Sequence, residues 1–342
     1  MNKRVRVTGL MLIIWGLSYL GYATYQLNTP LQTSTDLIVS LEKGLPLSSF
    51  FTKLENAGVI KDSRFVMILA KITGDSRKAK AGDYKLTQEM SSFDVLNLLV
   101  AGKTVKYKIT LVEGHNIKET LQRIAAHDKL IQDLPSDINQ LMPFLGLKGH
   151  PEGRFFPDTY LFDRNTRASS ILVRAQVRLE KILAEQWQKK EEDLPYESSY
   201  EALIMASIVE KETAAPEERE RIAGVFVRRL QKNMRLQTDP TVIYGLGDRY
   251  KGNIRRKHLR EKTPYNTYRI NGLPPSPISL VGKEAIYAAL HPAEGDELYF
   301  VAKGNGRHYF SKTLAEHNKA VRKYQINKRK SPEEYRSTPD KK

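Results

Sequence analysis

Two glutamates, Glu210 and Glu212, close an almost wholly apolar run, Leu203-Ile204-Met205-Ala206-Ser207-Ile208-Val209. A carboxyl held against apolar surface loses hydration, so its pKa rises and it can donate a proton near neutral pH. On a helix, Glu210 shares a face with Leu203, Ala206 and Ser207, while Glu212 sits over Ile208 and Val209. The small side chains beside Glu210 would leave room for a ligand. The bland alternative is a pair of solvated acids in a helix C-terminal turn, ion-paired with Lys211 or Arg221. Helical spacing alone does not choose between the two acids.

A second signal is three loops carrying groups that read sugars. Gly153-Arg154-Phe155-Phe156-Pro157-Asp158-Thr159-Tyr160 sets aromatic faces, Tyr160 among them, beside an acid. Arg235 to Gly245 offers Gln237, Asp239 and Thr241 around a Pro turn, and Thr263 to Tyr268 adds Tyr265 and Asn266. Planar amides and carboxylates bind vicinal polar groups in pairs, and aromatic rings pack on the apolar faces of pyranoses. Each loop alone could be ordinary turn chemistry. Other chemistries lack their patterns. None of the seven histidines stands in a paired ligand spacing, no GxSxG or SxxK marks a serine nucleophile, and no glycine loop would cradle a phosphate. No cofactor is implied. With no cysteine, disulfides, thiolate metal sites and cysteine nucleophiles are excluded together.

The elements that must position these residues follow from periodicity and caps. The acids end a helix expected over Ser198 to Glu212, preceded by a long amphipathic helix from Ser169 to Lys190 with Ile171, Leu172, Ala175, Leu179, Ile182, Leu183 and Trp187 on one stripe. Pro216 starts another, with acids early and Arg228, Arg229 and Lys232 late, as the helix dipole prefers. Beyond it the chain reads as loop-rich, closed by a strand at Leu298 to Ala302 and a helix at Leu314 to Tyr324. Ile38 to Ile60 and Ile109 to Ile131 resemble each other as strand, Gly turn and amphipathic helix. Between them, helices are expected at Ser63 to Thr73 and Ser92 to Val100, and a turn entering a strand at Gly82 to Leu86.

From Val7 to Thr35 there is no Asp, Glu, Lys, Arg or His, and residues 7–27 have the length and apolarity of a membrane-spanning helix. Lys3, Arg4 and Arg6 precede it and Asp36 follows, an asymmetry that puts residues 1–6 in the cytosol and the bulk of the chain outside. A cleaved signal peptide is disfavoured because Tyr25, Gln26 and Leu27 spoil the small-residue cleavage pattern. The net charge of +16 is scattered among acids except at Arg255-Arg256-Lys257 and in the tail, residues 327–342, which reads as disordered. That distribution argues against nucleic acid and for anionic membrane surface or wall polymer.

Ala206-Ser207-Ile208-Val209-Glu210-Lys211-Glu212-Thr213, then RLQTDPTVIYG, PYNTY, GLPPSPIS and LYFVAKGNGRHYFSKTLAEHNKAV resemble, in order, the YceG-like family of endolytic murein transglycosylases. With EGRFFPDTY, the likeness runs from about Ile38 to Tyr324. It implies an α+β chain: an N-terminal transmembrane helix, a small LysM-like subdomain over 36–106 and a larger mixed catalytic domain over 107–326. The similar β-α stretches would then fall in different domains and their likeness be fortuitous. The resemblance also implies that the catalytic glutamate is the first acid of VEKET, Glu210. The implied reaction is lytic cleavage of the bond between N-acetylmuramic acid and N-acetylglucosamine, giving 1,6-anhydro ends and terminating nascent strands beside penicillin-binding synthases in the inner membrane. Ser276 and Val281 depart from the usual GLPPSPI loop and leave its detail open. A hydrolytic muramidase, with Asp239 or Glu212 as second carboxylate, and a non-catalytic wall-binding scaffold are the competing expectations.

Overall fold

The computed structural model describes residues 3–213 and 215–326, which form two compact units, residues up to 108 with 161–166, and 109–160 with the remainder. The tail expected to be disordered, 327–342, lies outside the described residues.

In the first unit, α1 (Lys3–Asn28) carries the apolar stretch, and its Val7–Asn28 portion is long and apolar enough to cross a membrane with none of it buried. There follow β1 (Leu37–Leu41), α2 (Leu47–Asn56), α3 (Arg64–Ile72), β2 (Gly82–Leu86) and α4 (Ser92–Ala101). The two strands pair antiparallel, Leu37 opposite Leu86 and Leu41 opposite Gly82. Their inward side chains meet α2 and α4 in a core of Phe50, Phe51, Leu54, Tyr84, Leu86, Leu96 and Leu99, all but sealed from solvent. A capping box between Ser91 and Asp94 starts α4, and Gly102 in the left-handed region ends it. Asp83 is fully buried and accepts hydrogen bonds from Ser40 (2.6 Å), Tyr107 and Arg164 (3.4 Å). Burial pushes its pKa up, but these donors together outweigh that and hold it below the ordinary value.

The remaining elements are β3 (Tyr107–Thr110), α5 (Ile117–Ala125), β4 (Leu130–Ile131), α6 (Leu141–Phe144), β5 (Thr159–Phe162), β6 (Thr166–Arg167), α7 (Ala168–Trp187), α8 (Ser199–Glu212), α9 (Arg219–Gln231), α10 (Asp239–Leu246), α11 (Arg256–Arg260), α12 (Lys283–Leu290), β7 (Tyr299–Ala302), β8 (His308–Ser311) and α13 (Leu314–Val321). The strands form two-stranded pairs, β3 with β5, β4 with β6 and β7 with β8. The two similar stretches are locally alike, each a strand, a left-handed glycine (Gly44, Gly114) and a helix. Their strands find different partners, β2 for β1 and β5 for β3.

The second unit is built round α8, whose Ala202 to Val209 are all buried among α7, α9 and α12. An all-round apolar helix of this kind has no solvent face except at its ends, and the two acids stand at its C-terminal end. Close helix approach explains Gly224 on α9, where an added Cβ would lie 2.5 Å from the Ala293 carbonyl oxygen. The stretch after α9, expected to be loop-rich, holds three helices. Asp239-Pro240-Thr241 is not a turn between loops but the first turn of α10, with Pro240 where its missing N–H costs nothing. Gly153 has φ 71°, and a Cβ there would lie 2.4 Å from Pro277 Cβ. Gly153→Ala is therefore expected to destabilise the chain by about 2–4 kcal/mol, from strain and overpacking together, read as a lower urea midpoint.

Candidate active site

Residues from α8, α9, α10, the β7–β8 hairpin and α13 enclose a cavity of about 450 Å³, within the size range of ligand pockets. Glu212 lines it; Glu210 does not. Two residues on a helix point about 200° apart, so only one of the pair can face a given cavity. Around Glu212 stand Thr238, Asp239, Gln237, Tyr268 and Arg229, with Tyr299, Phe300, His308 and His317 on the far wall.

The Glu212 carboxylate accepts a short hydrogen bond from the Thr238 hydroxyl. Thr238 is held in turn, its amide donating to Thr267 Oγ1 at 3.0 Å and its carbonyl accepting from Thr241 Oγ1 at 2.8 Å. Burial pushes the Glu212 pKa up to about 7; the Thr238 bond and Arg229 oppose the shift, and the Asp239 charge adds to it. A carboxyl whose pKa is raised in this way can keep its proton closer to neutral pH than an ordinary glutamate does. Asp239 accepts from the Tyr268 hydroxyl at 2.7 Å. Gln237 lies beside it with a left-handed φ of 52° and donates its amide to the Thr267 carbonyl at 3.2 Å.

Arg229 ties the walls together. Its guanidinium donates to the carbonyls of Leu298 (2.6 Å), Leu236 (2.8 Å) and Arg235 (3.2 Å) and lies 5.0 Å over the Tyr299 ring. The hairpin strand β7 and the loop carrying Gln237 and Thr238 thus share one buried cation.

Glu210 has a different setting. Its side chain is 6% exposed, accepts from the Gly282 amide at 3.0 Å at the start of α12, and has Arg219 3.7 Å away. Burial raises its pKa, the Gly282 amide and Arg219 oppose the shift, and Glu113 and Glu284 add to it. Neither acid is paired with Lys211, which donates to the Gly114 carbonyl at 3.0 Å, or with Arg221, which pairs with Glu297 at 2.7 Å. The reading of both as solvated, lysine- or arginine-paired acids is therefore corrected: burial along α8 takes both carboxyls out of bulk water.

Of the residues expected to hold sugar, Gln237 and Asp239 line the cavity, and the others do not. Thr241 is fully buried in α10, bonded to Thr238 and 2.8 Å from Thr267 Oγ1. Asn266, 1% exposed, donates its side-chain amide to the carbonyls of His258, Leu259 and Glu261 and so closes α11. Tyr265 is partly buried, its hydroxyl 2.7 Å from Ser276 Oγ, and Tyr160 is buried with its hydroxyl donating to the Phe156 carbonyl at 2.8 Å. One strongly perturbed carboxyl was missed: Glu152, 1% exposed, accepts from the Ile117 and Gly153 amides, and burial pushes its pKa to about 7. It lies outside the cavity lining and acts as a buried tie between α5 and the loop before β5.

Two buried acids of raised pKa, one facing a polar cavity walled by aromatic rings, an amide and a second carboxylate, suit a carbohydrate-active α+β protein. The comparisons narrow that class. The model of the YceG-like family matches residues 39–323, and the chain belongs to that family. It is 33% identical over 311 residues to an endolytic murein transglycosylase of Bacillus subtilis (strain 168), covering 85% of this chain and 86% of the relative. It is 28% identical over 325 residues to an endolytic murein transglycosylase of Streptococcus pneumoniae serotype 2, of whose length it spans 57%. A crystal structure of a yceG-like protein from Listeria monocytogenes matches with TM-score 0.52 and 33% identity over 84% of this chain and all of that one.

Proposed function

We propose that this chain is an endolytic murein transglycosylase, held in a membrane by α1, with Glu210 as its single acid. The observation that supports the residue assignment is that Glu210, the first acid of the VEKET string, closes the apolar run of α8 with its side chain 6% exposed and its pKa raised by burial. Glu212, two residues on, is held by the Thr238 hydroxyl beside Asp239 and Gln237 and is the competing candidate.

Protonated Glu210 donates to the glycosidic oxygen between N-acetylmuramic acid and N-acetylglucosamine as the C1–O bond breaks, and positive charge develops at C1. The muramic acid C6 hydroxyl then attacks C1 from within the same sugar while Glu210, now carboxylate, takes its proton. The products are a 1,6-anhydromuramyl end and an N-acetylglucosamine end with a free 4-hydroxyl, and protonated Glu210 is regenerated. The intramolecular attacker has high effective molarity, so no residue has to activate water. Gln237 holds a sugar amide or hydroxyl; Thr241, Asn266, Tyr265 and Tyr160 act as framework.

A second reading keeps a specific observation: Asp239 and Glu212 line one cavity, which is what a two-carboxylate hydrolase needs. Mass spectrometry of the digested glycan separates the two. Anhydro ends, lighter by one water than hydrated ones, are the expected product, and exclusively hydrated ends would establish the hydrolase instead.

The first unit's β1-α2-α3-β2 arrangement is the LysM-like module that grips glycan. Lys3, Arg4 and Arg6, ahead of the apolar stretch of α1, favour an N-terminus in the cytosol and the chain beyond α1 outside the inner membrane. The short link from α1 to β1 keeps the enzyme near the membrane, where strands emerge from penicillin-binding synthases.

A further inference from the structure

We propose that α3 is a second membrane contact, its outward face seated in the headgroup and upper acyl region of the leaflet from which α1 emerges. The inference rests on reading α1 as a transmembrane helix and goes beyond it, because a single-pass anchor requires no other element to touch lipid.

The geometry starts inside α1. The rings of Tyr19 and Tyr22 pack against Phe65, with centroids 5.9 and 5.7 Å apart, and Phe65 is left 8% exposed. The helix ends at Asn28, so at 1.5 Å per residue these tyrosines lie about 13 and 9 Å below its end. Residues 7–28 span about 33 Å, little more than a hydrocarbon core. A helix that crosses the membrane with that stretch has no spare length to lift Tyr19 and Tyr22 clear of the bilayer. Phe65 and the start of α3 must go in with them. The docking is fixed at a second point: Ser92 Oγ of α4 donates to the Leu27 carbonyl at 3.2 Å, and Pro30 bridges to Ser91.

The outward face of α3 has the composition such a position demands. Arg64, Ile68, Lys71 and Ile72 lie at i, i+4, i+7 and i+8 and are all exposed, Ile72 by 80% and Ile68 by 48%. Two isoleucines left in water on a nine-residue helix are unfavourable, whereas at a bilayer surface they are buried. Lys71 beside them can bury its stem and reach the phosphates, whereas Arg64 is paired with Asp62 at 2.7 Å; interfacial helices show this mix of apolar and basic residues. Val66 and Ala70 face the unit's core and Phe65 faces α1, so lipid is the partner for the face that protein does not cover.

The chain has no cysteine, so single cysteines introduced into the full-length protein report one position each. Ile68→Cys and Ile72→Cys would be labelled with an environment-sensitive fluorophore in vesicles of phosphatidylethanolamine and phosphatidylglycerol. Leu12→Cys in α1 reports on the anchor itself, and Lys53→Cys on the exposed side of α2 reports on water. Nitroxide on the lipid chains and iodide in the buffer are the two quenchers. Labels at 12, 68 and 72 are expected to be quenched several-fold more by lipid nitroxide than the label at 53, and to be shielded from iodide. Lipid quenching at 12 with iodide quenching at 68 and 72 overturns the inference and leaves the anchor standing. Loss of lipid quenching at 12 as well overturns both. Shielding of 68 and 72 from both quenchers means that protein, a second copy or another membrane protein, covers this face, and also overturns it.

Discussion

Glu210→Gln is expected to abolish glycan cleavage, with kcat/KM falling by about 10³-fold or more, while Glu212→Gln loses less than about ten-fold. Gln at 210 keeps the shape and can still accept from the Gly282 amide, but it has no proton to give to the glycosidic oxygen and cannot afterwards take one from the C6 hydroxyl. At position 212 the amide oxygen can still accept from Thr238, so the wall that Thr238 holds survives. Stability gives a second readout with its own sign. Glu212 titrates at about 7 in the folded chain against an ordinary 4.5. Below about 4.5 it is neutral in both states and costs nothing. As pH rises, the unfolded chain ionises first, and the cost to the folded state grows until it is complete above 7. Glu212→Gln removes that cost. The Glu212→Gln variant should melt higher than the parent at pH 8, by about 2–3 kcal/mol of stability, and alike at pH 4.5. Retained cleavage by Glu210→Gln with loss in Glu212→Gln would reverse the assignment.

Arg229→Leu is expected to destabilise the chain by about 4 kcal/mol and, at temperatures where it remains folded, to lower kcat/KM at least about ten-fold. Leucine fills part of the space but leaves the carbonyls of Leu298, Leu236 and Arg235 buried without a donor. Each orphaned carbonyl costs about 1–3 kcal/mol before relaxation. Because the same guanidinium joins the Tyr299 wall to the Gln237 and Thr238 loop, its loss loosens the wall opposite Glu212. Arg229→Lys is expected to recover only part of either effect, since a single ammonium cannot present the planar fork to three carbonyls. Denaturant titration with steady-state kinetics on the same samples measures both. An Arg229→Leu chain as stable and active as its parent would remove Arg229 from the account.

Much of the framework was legible because local rules agree with the tertiary ones. The apolar run before Glu210 and the stripe on Ser169 to Lys190 forecast α8 and α7 to within a few residues, and α4 falls where a helix was expected at Ser92 to Val100. The helices α10, α11 and α12 were not foreseen. Pro240, Gly245 and Gly247 punctuate a stretch whose helicity comes from burial of Val242 and Leu246 and from the Thr238, Thr241 and Thr267 hydroxyl cluster, neither visible along the chain. The same limit governed the site. Sequence singled out both acids and grouped Gln237 with Asp239, but which acid faces the cavity depends on where α9 and β7 pack against α8. The small neighbours of Glu210, Ala206 and Ser207, left the choice open along the chain, and in the fold they make room for other protein: Ser207 Oγ accepts from the Ile278 amide at 3.0 Å. Thr241 and Asn266 carry the polar groups that sugars attract, but the fold spends them on its own carbonyls.

The central claim, that one carboxyl kept protonated by its surroundings does the chemistry, is tested most directly by the pH dependence of kcat/KM on glycan strands. The predicted profile falls as Glu210 ionises, at a pH above the ordinary glutamate range because burial raises its pKa. Arg219→Met removes the charge that opposes the shift and should move that falling limb to higher pH. A limb at the pH of an ordinary glutamate, or one that does not move in Arg219→Met, would contradict it.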